Sequence, residues 1–92
     1  MMSQLPANVD KLKKGEIDKE IARVGMIAEL DAINLYEQMA SLAEKEGIRK
    51  ILLDIAKEEK THMGEFQTLL LIEDSEQKKE LEAGKKEVDA KV

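Results

Sequence analysis

The chain has 92 residues, with 20 acidic and 15 basic side chains, a formal net charge of −5, one histidine and no cysteine; that size fits one small domain, for which dimerisation or a metal often supplies missing stability. Without cysteine there are no disulfides, thiolate metal sites or cysteine nucleophiles, and the remaining ligands, carboxylates and one imidazole, favour iron or manganese over structural zinc. Mixed charges and only two aromatic residues exclude a nucleic-acid face, and with no apolar run near the roughly 20 residues of a bilayer span and no leader-like start, no membrane contact and a cytoplasmic location are expected.

Residues 1–15, with Pro6, Asn8 and Gly15 and no sustained periodicity, predict a flexible N-terminal arm. From about Glu16 to Glu46 the pattern is helical. Ala22, Met26, Glu29, Ile33, Tyr36, Ala40 and Ala43 recur at spacings of four and three, and Ile27, Leu30, Leu35, Met39 and Leu42 widen the apolar face. Gly47 then occupies the position where a left-handed glycine ends a helix, and so short a connection forces an antiparallel hairpin.

The second helix is predicted over about Ile48 to Ile72, with Ile48, Leu52, Ile55, Glu59, His62, Phe66 and Leu69 on one stripe. Asp74 or Ser75 is placed to cap a short third helix that runs through Leu81 and stops at Gly84. Residues 85–92 read as a polar tail or linker. The expected fold is therefore all-α, an antiparallel two-helix hairpin plus a short C-terminal helix.

Two ionisable residues in an apolar stripe need compensation, because a buried unpaired carboxylate costs about several kcal/mol. A Glu-x-x-His alone is weak in a chain rich in Glu. The signal sharpens because the only other long helix carries its own seam acid, Glu29. Measured from Gly47 at ~1.5 Å per residue, Glu29 stands ~27 Å, Glu59 ~18 Å and His62 ~22 Å along the hairpin, a mismatch of about one turn.

One Glu from one helix and a Glu-x-x-His from another are half of the ferritin-like di-iron arrangement, so two hairpins would complete a four-helix bundle around two metals. Four carboxylates would then balance two divalent cations. Tyr36, two turns after Glu29, either hydrogen-bonds a ligand carboxylate or packs as a core aromatic. Asp31 is a reserve acid, Glu65 an optional extra ligand one turn beyond His62, and Glu58 is turned about 100° from Glu59 toward solvent. The plainer alternative is a helical dimerisation module in which Glu29, Glu59 and His62 bond each other or water.

The runs MIAELDAINLYEQMA and IRKILLDIAKEEKTHMGEFQTLLL resemble the encapsulated ferritin-like family, especially the ferritin-like domain at the N-terminus of archaeal encapsulin shell proteins. The resemblance covers about residues 16–90, with residues 16–84 forming the ferritin-like unit. It implies protomers that pair around a di-iron ferroxidase centre, with iron held by Glu29, Glu59 and His62 and Tyr36 beside it, and five such pairs closing into a ring. It also implies oxidation of Fe(II) to Fe(III) by O2 or peroxide and delivery of iron into an encapsulin shell, fused or docked.

Some members carry a second acid next to the ligand Glu that forms an outer site where metal first binds. Here that position is Ala28, which leaves Asp31 as the candidate. The chain ends EAGKKEVDAKV rather than in a targeting peptide of small and apolar residues, as expected of an excised domain of a shell fusion or of another delivery route. A rubrerythrin-like peroxidase or a manganese catalase would keep the same site and change the reaction.

Overall fold

The computed structural model describes residues 15–92, which form three helices, α1 (Glu16–Leu42), α2 (Glu46–Glu73) and α3 (Ser75–Lys91). The predicted arm therefore lies outside the described residues except for Gly15. Gly15 precedes α1 with φ of +92°, the left-handed conformation that glycine adopts without a Cβ clash. Glu16 and Asp18 follow in the first turn, where negative charge complements the helix dipole.

The hairpin forms as expected, but its turn lies earlier. α1 stops at Leu42 and a connection of Ala43, Glu44 and Lys45 leads into α2. Ala43 is extended, its N–H donates to the Ala40 carbonyl, and the Arg49 guanidinium donates to the Ala43 carbonyl at 3.0 Å. Gly47 is not a left-handed helix end. It sits in the first turn of α2, and the only glycine with positive φ among the described residues is Gly15. Arg49 satisfies the exposed end of α1, so no left-handed residue is required there.

The third helix also departs from its expected length. The Asp74 carboxylate caps it, accepting from the Gln77 N–H at 3.0 Å, but the helix passes through Gly84 to Lys91. Residues 85–91 are thus helical, with a Lys85–Asp89 ion pair at one-turn spacing. A second carboxylate oxygen of Asp74 accepts from Arg23 of α1 at 2.9 Å, so one side chain joins the start of α1 to the α2–α3 junction. The Gln77 hydrogen bond, aided by Lys19 and Arg23, holds the Asp74 carboxyl below the ordinary carboxylate range.

α1 and α2 pack along their whole length, whereas α3 meets mainly the end of α2 and buries no residue. The seam core consists of Ala22, Ile33 and Ala40 from α1 with Ala56 and Leu70 from α2. Three of these five are alanines, so the helix backbones approach closely. The five α1 residues that widen the apolar face, Ile27, Leu30, Leu35, Met39 and Leu42, all remain exposed, as do Ile48 and Leu69 of the α2 stripe.

Candidate metal centre

The position of the turn decides whether the three ionisable seam residues can meet. Glu29 lies 15 residues before Glu44, the middle of the connection, and Glu59 lies 15 residues after it. Both therefore stand ~22 Å from the turn, and His62 stands ~27 Å from it, within one helical turn. The mismatch obtained by counting from Gly47 disappears.

One ligand atom from each of Glu29, Glu59 and His62 lies within 4.8 Å of the other two. His62 Nδ1 is 3.5 Å from Glu59 Oε2 and 3.9 Å from Glu29 Oε2. Atoms each bound at about 2.1 Å to one cation lie no more than about 4.2 Å apart, so the two His62 separations suit a shared cation. The carboxylate side chains are only 17% and 20% exposed, while His62 is 47% exposed and opens the group to one face of the hairpin.

Glu29 Oε2 is buried and has no hydrogen-bond partner. A buried carboxylate oxygen without a donor or a cation is costly. A divalent ion among two carboxylates and an imidazole would satisfy it, and the donor set is hard enough for iron or manganese. The residues present therefore fit a metal.

The remaining candidates lie around this trio without joining it. Asp31 is half-buried and Glu65 exposed, and neither contributes to the converging ligand atoms. Tyr36 is half-buried, and its hydroxyl makes no hydrogen bond among the described residues. Glu58 is exposed. Lys60 of α2 reaches Glu37 of α1 at 3.2 Å, an exposed pair that spans the two helices.

Helical spacing places Phe66 on the α2 stripe but does not single out Gly25. A Cβ on Gly25 would lie closer than 3.0 Å to Cγ, Cδ1 and Cε1 of the Phe66 ring. The sequence held a signal, since a glycine inside a strongly periodic helix weakens it unless a neighbour fills the space.

Fold and side chains together define a class: a two-helix hairpin carrying one Glu on the first helix and a Glu-x-x-His on the second, the residue pattern of half a ferritin-like bundle. Residues 4–83 match the EncFtn-like family, and the chain belongs to it. The fold of this family dimerises into a ferritin-like bundle.

The chain is 59% identical over 81 residues to a ferritin-like–encapsulin shell fusion protein of Pyrococcus furiosus, a match that covers 88% of this chain and 24% of that relative. It thus spans about a quarter of the relative's length. The crystal structure of the encapsulated ferritin domain from Pyrococcus furiosus superposes with a TM-score of 0.84 at 54% identity, covering 98% of this chain and 94% of that one. No helix among the described residues is long and apolar enough to cross a membrane.

Proposed function

We propose that this chain is one half of a ferroxidase, with two copies forming a di-iron centre that oxidises Fe(II) to Fe(III) for storage in an encapsulin compartment. The observation that carries the reading is the convergence of Glu29, Glu59 and His62 around a buried carboxylate oxygen that lacks a partner. Family membership and the encapsulin-fused relative support iron as the substrate. Two Fe(II) ions yield two electrons, which with two protons reduce O2 to hydrogen peroxide or hydrogen peroxide to water. Hard oxygen ligands favour the ferric product over the ferrous substrate.

Each hairpin contributes two carboxylates and one imidazole, and the second copy covers the face on which His62 opens. Ile48, Ile51 and Leu69 are exposed on that face, each within about 40° of His62 around the helix axis. Glu58 and Glu73 are also exposed in this arc, and the apolar residues between them and on either side of the ligand are suited to a second copy of the same stripe, with the metals at the centre. In this reading Asp31 and Glu65 are further acids for incoming iron, and Tyr36, two turns along α1 from Glu29, is the tyrosine of the centre. A ring of five pairs and a fused or docked shell protein complete the proposed assembly.

The test is aerobic addition of Fe(II) to the full chain, followed by ferric absorbance and by light scattering for mass. Wild type is expected to oxidise iron as a dimer or larger assembly. Glu59→Ala is expected to keep its helices and fall to the uncatalysed rate. Wild-type oxidation by Glu59→Ala would defeat the assignment, and consumption of peroxide without net Fe(III) accumulation would favour a peroxidase.

A further inference from the structure

Gly25 is one helical turn before Glu29, and Phe66 is one turn after His62, so the two lie on the ligand stripes and on the same side of the centre. The half-buried Phe66 ring occupies the space that a side chain at position 25 would fill. Gly47, Gly64 and Gly84 have nothing within 4 Å of the corresponding Cβ position. Gly25 is therefore the helical glycine whose missing side chain is replaced by another residue. We propose that Gly25 and Phe66 act as a spacer of fixed thickness that sets the separation of the Glu29 carboxylate from Glu59 and His62, and so are positioning residues for metal binding; this rests on the metal reading above.

Ordinary carbon contact begins near 3.4 Å, so a methyl group at Gly25 forces the ring or the helices to move by about 1 Å. A metal constellation works only when its ligands are held within about 0.5 Å of their productive positions. The trio has little slack, because His62 Nδ1 is already 3.9 Å from Glu29 Oε2. Removing the ring is harmful in the opposite sense. Without its thickness the stretch of seam between the ligands and the buried Ala22 and Leu70 loses the contact that sets the helix separation there.

The experiment uses the full 92-residue chain with Co(II) as probe, since its visible absorption reports ligand geometry independently of turnover. Gly25→Ala makes the spacer too thick and Phe66→Leu too thin. Each is expected to weaken Co(II) binding at least about tenfold, the scale that follows from ~1 Å misplacement, and to alter the band. The double variant, Gly25→Ala with Phe66→Leu, restores the thickness and is expected to return within about threefold of wild type.

Leu70→Ala, buried one turn beyond Phe66, is the stability control. It is expected to lower the melting temperature without changing the band. If Gly25→Ala does not fold, Phe66→Leu and the double variant carry the same comparison. Unchanged affinity and band in a folded single variant, or a double variant no better than its parents, would overturn the spacer. A wild-type chain with no Co(II) band would instead remove the metal reading, and the spacer with it.

Discussion

The inner seam of the hairpin and its outer faces sort side chains in opposite directions. Inside, Ala22, Ala40 and Ala56 are buried with Ile33 and Leu70, while outside Ile17, Ile21, Leu35 and Leu42 of α1 and Ile48, Ile51, Leu69 and Ile72 of α2 remain in contact with solvent. Leu42 is 81% and Ile72 72% exposed. A self-sufficient monomer places its large aliphatic residues inside. Small residues in this seam instead let the backbones come close enough for Glu29 to reach His62, and the large residues are left for a surface outside the hairpin. Side-chain size thus separates what one chain closes by itself from the face that the proposed second copy would close.

The largest expected effect comes from making the outer face polar. Ile51→Glu with Leu69→Glu puts two carboxylates on the stripe that carries His62, at a cost of at least about 4 kcal/mol if they are buried unpaired, or about a thousandfold in dimer dissociation. Light scattering should then show a monomer, and iron oxidation should fall to background while circular dichroism still shows helices. Next is His62→Ala, which leaves the apolar stripe intact. Loss of groups that merely support a metal ligand costs about 10–100-fold, so loss of the ligand itself is expected to lower iron oxidation by at least about 100-fold. A His62→Ala dimer that oxidises iron normally would place the chemistry elsewhere.

The hairpin and the trio were readable because helical spacing survives tertiary packing: Glu29, Glu59 and His62 all fall on four-three stripes, and each stripe meets the other. The turn was not readable. Nothing in Ala43, Glu44 or Lys45 breaks a helix by itself, and the break depends on Arg49 reaching back to the Ala43 carbonyl. Gly47 looked like punctuation because glycine is permissive, but permissiveness does not compel a left-handed turn. The length of α3 was hidden for the same reason at Gly84. The choice between inward and outward faces was hidden as well, since an apolar stripe left on the surface has the same period as one buried in the core.

Gly25→Ala tests the tight side of the comparison. Overpacking against Phe66 is expected to destabilise the hairpin by about 1–3 kcal/mol, opposing the gain in helix propensity, and a thermal melt measures it. Asp74 has a narrower effect, confined to the anchoring of α3. Its carboxyl is depressed in the folded chain, first by the Gln77 N–H and then by Lys19 and Arg23. The stabilisation is therefore complete above the unfolded value of 3.8 and is lost as pH falls from there through the folded value. Hydrogen exchange of the α3 amides should be unchanged between pH 7 and about 5 once corrected for intrinsic rates, and should lose protection below about pH 4. Asp74→Ala should show the low-pH behaviour of α3 at neutral pH.

The smallest effect has the opposite sign. Gly47 lies within α2, its φ is not positive, and nothing occupies the space around its Cβ position. Gly47→Ala therefore adds a helix-favouring residue without a collision, and removes freedom from the unfolded chain. The expected gain is about 0.5–1 kcal/mol, or a melting temperature higher by about 4 °C, with iron oxidation unchanged. Read beside Gly25→Ala, this applies one chemical change to both helices of the hairpin and isolates packing from propensity. A loss of stability at Gly47 would mean that the turn needs glycine's freedom after all, and the shared height of Glu29 and Glu59, which depends on a turn centred at Glu44, would have to be drawn again.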